Sequence, residues 1–466
     1  MELAWLPDLL YTGGRFESGR ALCCDRSGRV VRLAPASEIE AGKAVRLKGR
    51  AILPGLVNAH SHAFQRVIRG RTEYRTSEGV DNFWTWREMM YSAATRLSPE
   101  DLYDASRMAF LEMALNGITS VGEFHYIHHA PEGVAYDDPN LLSKTVIRAA
   151  RDVGLRICLL RVAYARAGFN VSPNLKQARF IEPNAESFLK NVERLRAEVN
   201  SERSGAAWVG VAPHSVRAVP LDYLKQVFHY AREKQLPIHM HVAEQPAEIE
   251  ACIKEHGRTP VALLDTEGLL DAGFTGVHGI HINTEEARAL SRARSFICAC
   301  PTTERNLGDG MIPAALLFKE GVRVSLGTDS HTQIDLLEDA RELEYNMRLE
   351  RLERVVLNNE SDNPSALAAS LLDCATRHGA ASIGMPEGSG TLEAGRFADF
   401  FTVDLHHPSI AGASPADLLA HIVFSLSPAA VREVVVSGRM IVEAGEHRAA
   451  REIVERFIAL QKRLWN

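Results

Sequence analysis

Apolar residues come in short runs along this chain, and the texture between the runs changes twice. Over the first fifty residues the runs are brief, at 9–11, 21–23 and 30–33, and are broken by Gly13-Gly14, Gly19 and Ser27-Gly28. That pattern predicts short strands joined by tight turns. The far end repeats it: 397–403 and 431–436 are strand-like, and Ser437-Gly438 reads as a hairpin turn before 440–442. Neither end carries enough apolar surface to support a sheet alone, so the two are expected to pair into one small β-sandwich domain. A last amphipathic segment, 449–464, predicts a helix packed on the outside.

Between the ends, strand-like runs alternate with helical ones. Eight runs, at 51–59, 117–124, 155–163, 207–213, 236–242, 274–280, 295–300 and 322–327, are each followed by sequence with helix signals. Ser98-Pro99 supplies an N-cap and a first-turn proline. Leu221, Leu224, Phe228 and Ala231 keep one apolar face at helical spacing, and Asn283 can cap a segment running to 294. Eight such units predict an α/β fold, a closed (β/α)8 TIM barrel rather than an open doubly wound sheet. The expected organisation is 1–53 as the first part of the small β-domain and 54–389 as the barrel. Residues 390–446 form the second part of the β-domain, and 447–466 the C-terminal helix.

Composition narrows the class of protein. A hydrophobic fraction of 46% with 24% charged residues is that of a globular chain, which sets aside disorder as the main state. The 53 Lys and Arg against 59 Asp and Glu leave a net charge of −6, so a nucleic-acid partner is not expected. Attraction for an acidic substrate would have to come from a few local arginines. Seven cysteines without a CxxC pair read as buried thiols in a reducing compartment. No signal segment and no membrane-spanning run is visible, so a cytoplasmic location without a membrane partner is expected.

In a TIM barrel the chemistry sits at the C-terminal ends of the strands. The first run ends in Asn58-Ala59-His60-Ser61-His62, and residues two apart on a strand share a face. His60 and His62 can therefore approach one metal ion together. The fifth run ends in His239-Met240-His241-Val242-Ala243-Glu244, the sixth contains His278, and the eighth leads into Gly327-Thr328-Asp329-Ser330-His331. Imidazole and carboxylate donors suit zinc, and three or four of them with an exchangeable water describe a catalytic site rather than a structural one. They also accept iron or another divalent metal. His239 shares a face with His241 but lies deeper in the barrel, which predicts a packing role. The phosphate loop, His-Glu-x-x-His, Gly-x-Ser-x-Gly and Pro-Cys-x-x-Cys patterns are all missing from the sequence.

Several longer blocks carry a resemblance. They are residues 58–66 (NAHSHAFQR), 83–88 (FWTWRE), 119–129 (TSVGEFHYIHH), 167–169 (AGF), 214–219 (HSVRAV), 241–245 (HVAEQ) and 300–310 (CPTTERNLGDG). In these blocks the chain resembles the amidohydrolase superfamily, almost from end to end, and in particular its members that deiminate small acidic substrates. The resemblance implies an amidohydrolase-type barrel holding one zinc ion on His60, His62, His241 and Asp329. It implies catalytic roles for Glu244, His278 and Asp329, and a pocket for a small dicarboxylic substrate made by Gln65, Arg87, Tyr126, His214 and Arg217. It further implies hydrolytic release of ammonia from an amidine-like carbon, and a homodimer. Arg305 departs from the pattern, where a small residue is expected, and could alter the charge of the loop at the mouth.

Two rivals stay open. A purine or pterin deaminase of the same superfamily would share the metal set but use an aromatic pocket in place of paired arginines. A metal-free barrel serving as a binding scaffold would lack at least one ligand, yet all four positions are filled. A binuclear hydrolase usually needs a bridging lysine on the fourth strand, and 207–215 contains none.

Overall fold

The computed structural model describes residues 2–40, 42, 44–75, 80–202, 205–358, 363–386 and 389–466. Eight parallel strands follow one another around a barrel: Leu56–Ser61, Ile118–His125, Arg156–Ala163, Ala207–Pro213, Ile238–Val242, Phe274–His278, Phe296–Ala299 and Arg323–Leu326. Nearly all their residues are buried, because helices cover the outside and side chains fill the inside. The circle closes between the first and eighth strands at one place. Asp329 N donates to His60 O (3.1 Å) and His62 N donates to Asp329 O (3.1 Å). Gly327 permits that approach, since a Cβ there would stand 2.7 Å from the Cβ of His60. The seam thus joins three of the candidate metal ligands through their own backbone.

The first run divides in two. Residues 51–54 complete the strand Ala44–Pro54, which belongs to the other sheet, and the barrel strand begins only at Leu56. Gly55 makes the break, tucked where a Cβ would meet the side chain of Thr119 at 2.3 Å. Both pieces are apolar and buried, so hydrophobic pattern alone does not mark the change of sheet.

The two chain ends combine in one nine-stranded sheet. Leu3–Thr12 pairs in parallel with Ala44–Pro54, and Phe400–Asp404 pairs antiparallel with the same strand on its other side. The sheet folds back on itself, since Val30 N donates to Arg396 O and Ala398 N donates to Gly28 O. Inside it lies a separate apolar cluster that includes Trp5, Leu22, Ile52 and Phe400, with the Trp5 and Phe400 rings edge-on at 5.2 Å.

The final helix, Ala450–Trp465, lies against Pro99–Leu115, whose start carries the expected Ser98 cap. Arg107–Glu452, Arg456–Asp104 and Arg463–Asp101 pair across them, and Trp465 Nε1 donates to Val67 O behind the first barrel strand. All seven cysteines are buried and free. Among the described residues, no helix is long and apolar enough to cross a membrane.

Candidate metal centre and its cavity

His60, His62, His241 and Asp329 offer ligand atoms that all lie within 4.8 Å of one another. Strand geometry makes this possible, because His60 and His62 face inward from one strand end while the seam fixes Asp329 beside them. His60 Nε2 and His62 Nε2 are 3.2 Å apart, and each is 3.3 Å from Asp329 Oδ1.

In two of the three rings the second nitrogen determines which atom is free. His62 Nδ1 donates to Phe124 O at 2.9 Å, and His241 Nδ1 donates to His214 O at 3.1 Å. A carbonyl can only accept, so the proton sits on Nδ1 and the Nε2 lone pair points into the cluster. Burial lowers the pKa of His60 to about 3 and depresses His62 and His241 as well, so the rings are neutral. Burial alone would raise Asp329, but hydrogen bonding to His60 and the nearby charge of His278 hold its carboxyl below the usual range. Three neutral imidazoles and one ionised carboxylate, all buried, fit a single divalent ion.

Beside this cluster stand the proton-handling candidates. His278 Nε2 is 3.6 Å from Glu244 Oε1 and 4.0 Å from Asp329 Oδ2. Burial pushes the Glu244 carboxyl up to about 8, so at neutral pH it carries a proton. Burial opposes a charge on His278, yet the acidic side chains around it, Glu244, Glu304 and Asp329, outweigh it and hold the ring's pKa well above the ordinary value. Ala243, His278, Asp329 and His331 all have positive φ, between 44° and 71°. Backbone strain of that kind in non-glycine residues collects where the fold must aim a side chain.

Glu304 has no role in the reading of the sequence, although the block 300–310 contains it. Its Oε1 lies 3.2 Å from His278 Nδ1 and accepts from Cys300 N at 2.9 Å. This buried carboxylate therefore orients His278. Glu123 is a second residue without a sequence signal. It accepts from Ser61 Oγ at 2.5 Å and from Ala63 N at 2.8 Å, which brackets His62 on both sides. Burial pushes its carboxyl up to about 8. His239 turns away and donates to Ser382 O at 2.8 Å, as a packing role requires.

One cavity takes in His62, His241, Glu244, His278 and Asp329 together with Gln65, Arg87, Tyr126, His214 and Arg217; His60 is fully buried beneath it. The structure thus brings every candidate residue to one place. Gln65 Nε2 donates to Tyr126 OH at 2.9 Å, while Gln65 Oε1 is buried without a partner. The His214 ring lies between those of Tyr164 and His241, at 4.6 Å and 4.9 Å. Arg87 projects from the helix Phe83–Arg96, with its guanidinium 4.3 Å from the Trp84 ring and 5.4 Å from Tyr91. Arg217 donates from Nη1 to Ala167 O at 3.1 Å. Among the described residues, neither guanidinium has a carboxylate within salt-bridge distance. Burial and the neighbouring charge of Arg217 lower the pKa of Arg87. Arg305 points elsewhere and pairs with Glu342 at 2.6 Å, so its charge is met outside the cavity.

Residues 51–441 match the model of the amidohydrolase family, and the chain belongs to that family. It is 38% identical to formimidoylglutamate deiminase of Pseudomonas aeruginosa over 459 residues, covering 97% of each chain. A 5-methylthioadenosine/S-adenosylhomocysteine deaminase of Natronomonas pharaonis is 28% identical, over 86% of this chain and 83% of its own. Among solved structures, an amidohydrolase from Brucella melitensis superposes over the full length of both chains with a TM-score of 0.91 at 30% identity.

Proposed function

We propose that this chain hydrolyses N-formimino-L-glutamate to N-formyl-L-glutamate and ammonia, a step of histidine degradation. The observation that carries the reading is the pair of half-buried guanidiniums, Arg87 and Arg217, in the same cavity as the ligand cluster and without a carboxylate in salt-bridge distance among the described residues. A substrate with two carboxylates supplies the missing charge, and charge-assisted hydrogen bonds to it offset the cost of partly desolvating two cations. A purine would leave both cations unmatched. The 38% identity to a formimidoylglutamate deiminase, against 28% to the purine-nucleoside enzyme, supports the same choice.

His60, His62, His241 and Asp329 would hold one zinc ion, which supplies Lewis acidity that makes water nucleophilic near neutral pH. Asp329 accepts a proton from the attacking water through Oδ2, the oxygen turned toward His278. Oxygen adds to the formimino carbon and gives a tetrahedral species with oxygen and nitrogen substituents. Glu244, protonated at neutral pH, gives its proton to the formimino nitrogen as oxygen adds and, recharged with the water proton from Asp329, gives a second to make the ammonia that leaves. The hydroxyl proton passes to Asp329 as the carbonyl forms and from there restores Glu244. His278, held by Glu304, stands between the two carboxylates and passes the proton from Asp329 to Glu244. Gln65, Tyr126 and His214 line the path from the reacting carbon to the arginines and orient the diacid. A cytoplasmic location, on the strength of the free cysteines, and a homodimer, on the strength of the family resemblance, complete the reading.

Ammonia release from N-formimino-L-glutamate, run beside adenosine and guanine derivatives, tests the assignment. Turnover of the diacid and none of the purines is expected. Release from a purine alone would transfer the chain to the rival class.

A further inference from the structure

The two oxygens of Asp329 face different neighbours. Oδ1 belongs to the cluster of His60 and His62, whereas Oδ2 is turned toward His278 Nε2, 4.0 Å away. Near His278 and Asp329 stands Cys300, where the strand Phe296–Ala299 gives way to the helix Pro301–Leu307. Cys300, His278 and Asp329 are all buried, and their ligand atoms lie within 4.8 Å of one another. Nothing in the reaction uses the thiol. Its hydrogen bonding is weak, with Sγ 3.9 Å from Cys298 O. Glu304 fixes two members of the trio at once, through His278 Nδ1 and Cys300 N.

We propose that Cys300 Sγ, His278 Nε2 and Asp329 Oδ2 form a second cation subsite, which takes a soft divalent ion, zinc or cadmium, when such ions are in excess. The donor set selects the ion: one thiolate, one imidazole and one carboxylate suit zinc and cadmium, whereas magnesium and calcium call for oxygen ligands throughout. Bond lengths of about 2.0–2.3 Å put tetrahedral donors about 3.5 Å apart, so each pair of donor atoms needs to close by up to about 1.3 Å. Asp329 then bridges two ions through its two oxygens, as carboxylates do in paired sites with ions about 3.5–4 Å apart. On binding, the S–H bond breaks, the S–metal bond forms and the proton leaves to solvent. The second ion occupies the same nitrogen and oxygen that handle protons during turnover, so its binding inhibits. The inhibition rests on the roles proposed above for His278 and Asp329; the binding does not.

The experiment loads the purified holoenzyme with excess cadmium and removes free ion by gel filtration. Metal content, the ultraviolet thiolate-to-cadmium band and ammonia release are then read together. The expected result is a second retained equivalent, a thiolate band and loss of activity that mild chelation reverses. In Cys300→Ser the band disappears, the second equivalent is lost and turnover resists cadmium; Cys298→Ser behaves as the parent. A second equivalent without a thiolate band in the parent protein overturns the subsite, and so does a band that persists in Cys300→Ser. A second equivalent with its band but with unchanged turnover keeps the subsite and instead removes His278 from the mechanism.

Discussion

The floor of the cavity and its outer wall hold their charges by opposite means. On the floor, the strand ends carry groups anchored at their far sides: His62 to Phe124 O, His241 to His214 O, His278 to Glu304, and Asp329 through the barrel seam itself. On the wall, Arg87 and Arg217 lie against aromatic rings and one carbonyl, with no acid to neutralise them. The floor, His60 Nδ1 apart, is anchored before substrate arrives; the wall is not. A preorganised floor favours the transition state, while an unmatched wall favours binding. The division predicts that lesions on the two sides move different kinetic constants.

The largest effect falls on the floor. Glu244→Gln keeps the shape of the side chain and removes its proton transfer, so kcat should fall by about 10²–10⁴-fold with metal content and KM little changed. Steady-state kinetics with metal analysis checks this; unchanged turnover would remove Glu244 from the reaction. Next comes the wall. Arg217→Ala deletes a charge-assisted contact worth about 3 kcal/mol, so kcat/KM for the diacid should fall about 100-fold, mainly through KM. A loss confined to kcat would erase the distinction between the two sides.

Glu304→Gln gives a smaller change, since it weakens one charged hydrogen bond to His278 worth about 1.5 kcal/mol. About a 10-fold drop in kcat with KM held constant is expected, because a positioning residue acts through the ring it orients; an equal rise in KM would place Glu304 on the wall. Smallest of all is Arg305→Ala. Its side chain is 45% exposed and meets Glu342 away from the cavity, so activity should stay within about twofold and stability within about 0.5 kcal/mol. A larger kinetic change would mean that the charge at this loop does reach the mouth.

The floor was far more legible in the sequence than its supports. His60 and His62 announce themselves by strand spacing, and His241 and Asp329 by their place at the ends of apolar runs. The eight units and the pairing of the chain ends were visible for the same reason, since period and punctuation record burial. What stayed hidden has a physical pattern. Glu304 sits in the first turn of a short helix, where an acid is ordinary, so only the fold reveals that its side chain turns inward to His278. Glu123 lies mid-strand, where nothing in sequence distinguishes a solvated acid from a buried one gripping Ser61 and Ala63. The division of 51–59 at Gly55 was hidden because two buried strands in succession present one unbroken apolar run.

That shared run has a consequence for how the protein comes into being. The strand Ala44–Pro54 delivers the chain directly into the one that carries His60 and His62, yet it completes its own pairing only with Phe400–Asp404. During synthesis the first two metal-binding histidines therefore leave the ribosome long before the segment that braces them exists. Closing so long a loop is slow, so the four ligand positions come together only in the finished chain.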